Sequence, residues 1–81
     1  MLPIPAYTYK QGQYLAFIYY YTKINFRPPA EADMQAYFGT TPPTVHQMTM
    51  TLEEKGFITK VPGKARSIQI MLPCSQLPLL D

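Results

Sequence analysis

Apolar residues recur at helical spacing three times along the chain before the period changes to two. In the first segment Tyr14, Leu15, Ile18 and Thr22 fall on one face at three- and four-residue intervals. Thr8-Tyr9-Lys10-Gln11 precedes them as a capping box, so a helix is predicted over 8–23. Within it Tyr19-Tyr20-Tyr21 spreads by about 100° per residue, which should leave at least one ring in solvent. Pro28-Pro29 ends anything helical before it. A second, shorter helix is predicted over 30–38, with Met34, Tyr37 and Phe38 available to a core and acids in its first turn. Gly39 supplies its left-handed stop, and two threonines later Thr41-Pro42 reads as an N-cap followed by proline at the first helical position. That third helix is predicted over 41–55, closed by Gly56.

From there the pattern is that of strands. Phe57–Val61 is β-branched and aromatic, Pro62-Gly63 is a turn pair, and Arg66–Met71 alternates polar with apolar, predicting a β-hairpin over 57–71. Met1–Tyr7 contains two prolines and is expected to be an extended lead-in. The tail 72–81, with Pro73 and Pro78, cannot continue a central strand and should lie across the domain or toward a partner. The fold class is therefore α+β, mainly α: one domain over 1–81 in the order helix, helix-turn-helix, hairpin. Two short helices joined by so tight a turn are the mark of a helix-turn-helix.

Composition narrows the function classes. Eighty-one residues make one small core, and 47% hydrophobic with 15% charged residues is globular, not disordered. No apolar run is long enough to span a membrane, and MLPIPAYTYK lacks the layout of a signal peptide; with the lone Cys74 unable to form an internal disulfide, a cytoplasmic protein is expected. The net charge of +2 decides little, but Lys55, Lys60, Lys64 and Arg66 place four of seven cations in one stretch, and no acid follows Glu54 until Asp81. Such a local basic patch suits phosphates. No paired carboxylates, glycine-rich phosphate loop or Ser/His or Cys/His arrangement occurs, so an enzyme is not expected. His46 has no Cys or His partner at ligand spacing, and neither metal nor cofactor is expected.

Several pieces in order resemble one known family. Lys10-Gln11, Leu15, Phe17-Ile18, Pro28-Pro29, Gly39, Thr44-Val45-His46, Leu52-Glu53, Lys55-Gly56 and Pro62–Ile68 together resemble the N-terminal domain of LexA repressors over Thr8–Met71. The resemblance implies a winged helix-turn-helix whose third helix enters the major groove while the hairpin wing touches flanking phosphates. Ala30 stands where that family usually has a Ser or Thr cap, and Thr49 where it usually has leucine. The family's Ser/Lys self-cleaving domain has no counterpart in these residues, so control by cleavage is not carried over.

On a helical wheel Val45, Met48, Thr49 and Leu52 form the core face of the third helix. His46, Gln47, Met50 and Thr51 lie away from it, with Thr44 on the flank. Gln47 suits an adenine edge, and threonine or methionine methyls suit the thymine methyl. Lys64 and Arg66 on the wing, with Lys60 behind them, are the expected phosphate contacts, and amides near Thr41 and Thr44 a second set. The expected function is sequence-specific binding of double-stranded DNA as a transcriptional regulator. A homodimer through Tyr19–Tyr21 or the leucine-rich tail is a candidate arrangement. A winged helix used only for protein–protein contact is the alternative.

Overall fold

Thr8 starts the first helix as its sequence predicts. Its hydroxyl oxygen accepts the Gln11 N–H at 3.1 Å, and the Gln11 side chain accepts the Thr8 N–H at 2.9 Å. A computed structural model of the chain describes residues 6–81; the expected extended lead-in falls largely on 1–5, outside the described residues. Helix α1 covers Tyr9–Asn25, two residues beyond the expected end at Lys23. The prolines disfavour helical backbone only at the residue directly before them, Arg27, so the helix runs on. It stops when Phe26 turns left-handed (φ 60°) and donates its N–H to the Thr22 carbonyl.

Helix α2 covers Glu31–Phe38 and begins with an extended Ala30. Alanine has no oxygen to offer, and half of the missing cap is supplied from the other side: the Asp33 carboxylate accepts the Ala30 N–H at 2.8 Å. Gly39 closes α2 in left-handed conformation (φ 60°), which a glycine adopts without strain. Helix α3 covers Pro42–Glu54, with Thr41 as its cap. The expected ranges 30–38 and 41–55 thus shrink by their capping residues.

The hairpin is the main departure. Its ladder pairs only β1 (Ile58–Thr59) with β2 (Gln69–Ile70), antiparallel, Ile58 opposite Ile70 and Thr59 opposite Gln69. The expected strands over 57–71 are shorter for local reasons. Pro62 has no N–H to give a ladder, and Arg66 sits at φ 55°, which breaks the extended path. The Val61 N–H goes to the Ser67 hydroxyl instead (2.9 Å), and that hydroxyl also reaches the Lys64 carbonyl (2.8 Å). The wing is a hydrogen-bonded loop on a two-rung stem.

One core joins all the elements: Tyr14, Leu15, Phe17 and Ile18 of α1, Met34 of α2, Val45 and Leu52 of α3, and Ile58 and Ile68 of the hairpin. Each such aliphatic side chain contributes about 1.5–3 kcal/mol on burial. Tyr14 stacks on Phe38 with ring centroids 4.1 Å apart. Burial also pushes the Tyr14 hydroxyl above its ordinary pKa. Tyr37, expected in the core, is only half covered: its ring lies on Phe17 and its hydroxyl faces the tail.

The sequence suggested one buried face for α1, whereas Gln11–Ile18 is buried without a break. The tail is the reason. Residues 72–81 lie across the domain, with a short 3-10 turn at Cys74–Gln76, and pack Leu72, Leu77 and Leu80 onto the core. Gln13 clasps the tail by donating to the Leu79 carbonyl (3.0 Å) and accepting the Asp81 N–H (2.8 Å). Tyr7 donates to the Gln76 carbonyl, Tyr37 to the Asp81 carbonyl and Tyr9 to the Asp81 carboxylate. None of the three consecutive tyrosines stands free in solvent as expected. All are half-buried, because Tyr19 and Tyr20 lean edge to face and Tyr21 rests against Phe17.

Candidate nucleic-acid interface

The start of α3 sets the chemistry of the surface. Thr41 Oγ1 accepts the Thr44 N–H at 3.4 Å and lies 2.9 Å from the Thr44 hydroxyl. Pro42 and Pro43 have no N–H at all. Of the expected phosphate-binding amides near Thr41 and Thr44, the Thr44 N–H is thus engaged by the cap, while the Thr41 N–H has no partner among the described residues.

Past this cap the helix divides as its wheel predicts, except that Met48, expected on the core face, is only half-buried at the core's edge. Val45, Thr49 and Leu52 are buried, and the Thr49 hydroxyl is satisfied by the His46 carbonyl at 2.8 Å. A buried threonine in place of a leucine thus leaves no unmet donor. His46, Gln47 and Met50 are exposed, Thr44 is exposed on the flank, and Thr51 is half-buried with its hydroxyl returned to the Gln47 carbonyl (3.0 Å). Among the described residues the Gln47 amide makes no intramolecular hydrogen bond, so its donor and acceptor remain available together. Glu53 and Glu54 are exposed at the far end of the helix.

His46 stands at the edge of this face. Its Nδ1 lies 3.5 Å from Glu31 Oε2, at the first turn of α2, and that same oxygen is 3.4 Å from the Thr49 hydroxyl. Glu31, His46 and Glu53 border an open groove of about 530 Å³ whose opposite bank is the wing. Carboxylates on the helical bank of that groove thus face Lys60, Lys64 and Arg66 on the wing bank.

On the wing turn Lys64 is exposed, following Gly63 in left-handed conformation, and Lys60 is half-buried behind it. Arg66 departs from the expectation. Its Nη1 turns back into the domain and donates to Asp33 Oδ2 at 2.9 Å, to Tyr21 Oη at 3.1 Å and to the Pro28 carbonyl at 3.4 Å. The Ala30 N–H, and after it the Arg66 charge, hold the Asp33 carboxyl below its ordinary pKa, against the opposing effect of burial. The Tyr21 hydroxyl and then Asp33 hold the Arg66 guanidinium above its own. Arg66 anchors the wing to the helical part of the domain. Sequence reasoning missed Asp33 in this role: its signal, an acid in a first helical turn, says nothing of a partner 33 residues later.

Helix α3 thus presents an outer face that is uncharged over its N-terminal half, set by a tight turn beside a wing that carries Lys60 and Lys64. The family described as LexA DNA binding domain matches residues 5–67. This chain belongs to that family. Among curated proteins, the LexA repressor of Thermosipho melanesiensis is 38% identical over 64 residues, covering 79% of this chain and 32% of the relative. The LexA repressor of Thermosipho africanus is 36% identical over the same length, with the same two shares. The chain thus spans about a third of the length of these LexA relatives. The family match ends within the wing, so the second strand and the clasped tail of this LexA-type domain lie beyond it. Among the described residues no helix is long and apolar enough to cross a membrane.

Proposed function

We propose that this LexA-type domain binds a specific sequence of double-stranded DNA and, by occupying it, represses transcription as its relatives' names describe. The observation that carries the reading is the free amide of Gln47 on the exposed, uncharged N-terminal half of α3, within two turns of the Thr41 cap. A bidentate amide in the major groove pairs with the N6 and N7 atoms of adenine. Met50 beside it supplies an apolar contact for a thymine methyl, and His46 and Thr44 border the same stretch. Lys64, with Lys60 behind it, would take flanking phosphates, while Arg66 holds the wing at the height those contacts need. The domain carries out no reaction of its own and works where the DNA is, in the cytoplasm.

Two copies on two half-sites fit this small surface best, because a single domain offers a limited interface. The tail is a poor means of joining them, since Leu79 alone of its leucines stands exposed. Leu77 and Leu80 are already packed on the core, and Tyr21 is held by Arg66 and Phe17. DNA itself would bring the copies together, with Tyr19 and Tyr20 contributing little.

Fluorescence anisotropy on a random duplex pool across a salt series tests the reading, followed by selection and sequencing of the bound fraction. The expected result is affinity that falls linearly in log–log form with salt, and enrichment of a paired motif containing adenine. Absence of binding even at low salt defeats the assignment and favours the protein-contact alternative.

A further inference from the structure

The carboxy-terminal half of α1 carries a second surface that DNA reading does not use. Tyr19, Lys23 and Phe26 share one stripe at i, i+4 and i+7 and form one bank of an open groove of about 540 Å³. Ile68 and Ile70 stand on the opposite side, and Arg27 lies at the end. No residue of α3 and none of the wing turn lines it.

Phe26 is the unusual member. It is 92% exposed, and it holds a left-handed backbone (φ 60°) that a residue with a Cβ rarely adopts. Both water and backbone would favour glycine at this helix end. A large ring kept there against both preferences has a use outside the domain's own core. Among the described residues Lys23 and Arg27 are the only charged ones lining the groove, and no carboxylate accompanies them. Lys23 alone would be explained by the helix dipole, but Arg27 lies beyond the helix.

We infer that this groove receives a short acidic segment of a partner protein, seating an aromatic or aliphatic side chain between Phe26 and Ile70 while its carboxylates meet Lys23 and Arg27. A second copy of the domain is the poorer occupant: it would bring two more cations to a surface that has no carboxylate to answer them. DNA phosphate would satisfy the cations and leave the exposed ring of Phe26 without a role. Because the groove is separate from α3, the partner and DNA can be held at once, and the LexA-type domain then recruits or is recruited while bound.

The test titrates the ¹⁵N-labelled chain with two synthetic peptides that share a central phenylalanine and differ only in glutamate or lysine flanks. The glutamate peptide is expected to shift resonances of residues 19–27 and 68–70. Phe26→Gly, which relieves the backbone, should weaken it about tenfold or more with no loss of thermal stability and no change in DNA affinity. The Lys23→Glu/Arg27→Glu double variant should exchange the preference toward the lysine peptide. Equal response to both peptides, or none to either, overturns the proposal. So do concentration-dependent shifts of the same residues without peptide, which mark a second copy. If the double variant loses DNA affinity and keeps the peptide, the cations belong to DNA and the proposal fails.

Discussion

Asp33 Oδ2 accepts two hydrogen bonds from opposite directions, one from the Ala30 N–H at 2.8 Å and one from Arg66 Nη1 at 2.9 Å. One oxygen therefore caps α2 and ties the wing to it. The two functions are separable by substitution. Asp33→Ala should destabilise the domain by about 1 kcal/mol through the lost capping contact alone. It should also release the wing. Arg66→Gln should leave the cap in place and loosen only the wing. Amide exchange checks the distinction: faster exchange at Ser67 and Val61 in both variants, and at Ala30 only in Asp33→Ala.

The same carboxylate predicts a pH dependence. Its folded pKa lies below the ordinary value, first because of the Ala30 N–H and then because of the Arg66 charge. A depressed carboxylate stabilises the fold while it is ionised, so its contribution is complete above the unfolded value of about 4. It is lost as pH falls from there through the folded pKa. Thermal melts from neutral pH downward should show a decline beginning near pH 4. In Asp33→Asn the decline should be shallower; an identical profile for the two proteins would remove Asp33 from the acid response.

Base reading and phosphate positioning should separate on DNA. Gln47→Ala removes the free amide and leaves charge unchanged, so it should cost about 1–3 kcal/mol on the selected sequence and relax preference at one position. Its salt slope should match wild type. Lys64→Ala should weaken all sequences alike and lower the slope by about one. Arg66→Ala is expected to act differently from Lys64→Ala, reducing thermal stability as well as affinity, because its guanidinium supports the wing from within. Anisotropy on selected and scrambled duplexes over a salt series measures all three.

The elements were legible because each is announced locally. Thr8 with Gln11, Gly39, and Thr41 with Pro42 lie within a few residues of the backbone groups they satisfy. The division of α3 into Val45, Thr49 and Leu52 against His46, Gln47 and Met50 follows from a period that sequence states directly. What stayed hidden depends on partners distant in the chain. Gln13 reads as a polar helix residue, yet it is buried because it matches the backbone of Leu79 and Asp81. Arg66 reads as a free wing cation until Tyr21, Pro28 and Asp33 are placed around it. The strands were overestimated because β propensity carries no penalty for a left-handed residue at position 66.

Gly12 gives the sharpest test of the tail. It lies in α1 where alanine would ordinarily stabilise a helix by about 1 kcal/mol. Here a Cβ would meet the Tyr7 ring at 2.8 Å and Pro78 at 3.0 Å. Both neighbours belong to the layer that the tail forms over α1, and Tyr7 also bonds the Gln76 carbonyl. Gly12→Ala must therefore push that layer outward, at a cost of about 1–3 kcal/mol for an overpacked contact. The cost exceeds the helical gain, and the expected net effect is a loss of about 1 kcal/mol. Deleting 72–81 uncovers α1 and is itself destabilising, but it removes Pro78 and frees Tyr7 from Gln76. In that shortened chain Gly12→Ala should become neutral or stabilising. Urea melts of the four proteins in the cycle measure the coupling, and a substitution equally harmful with and without the tail would show that the glycine serves the helix alone.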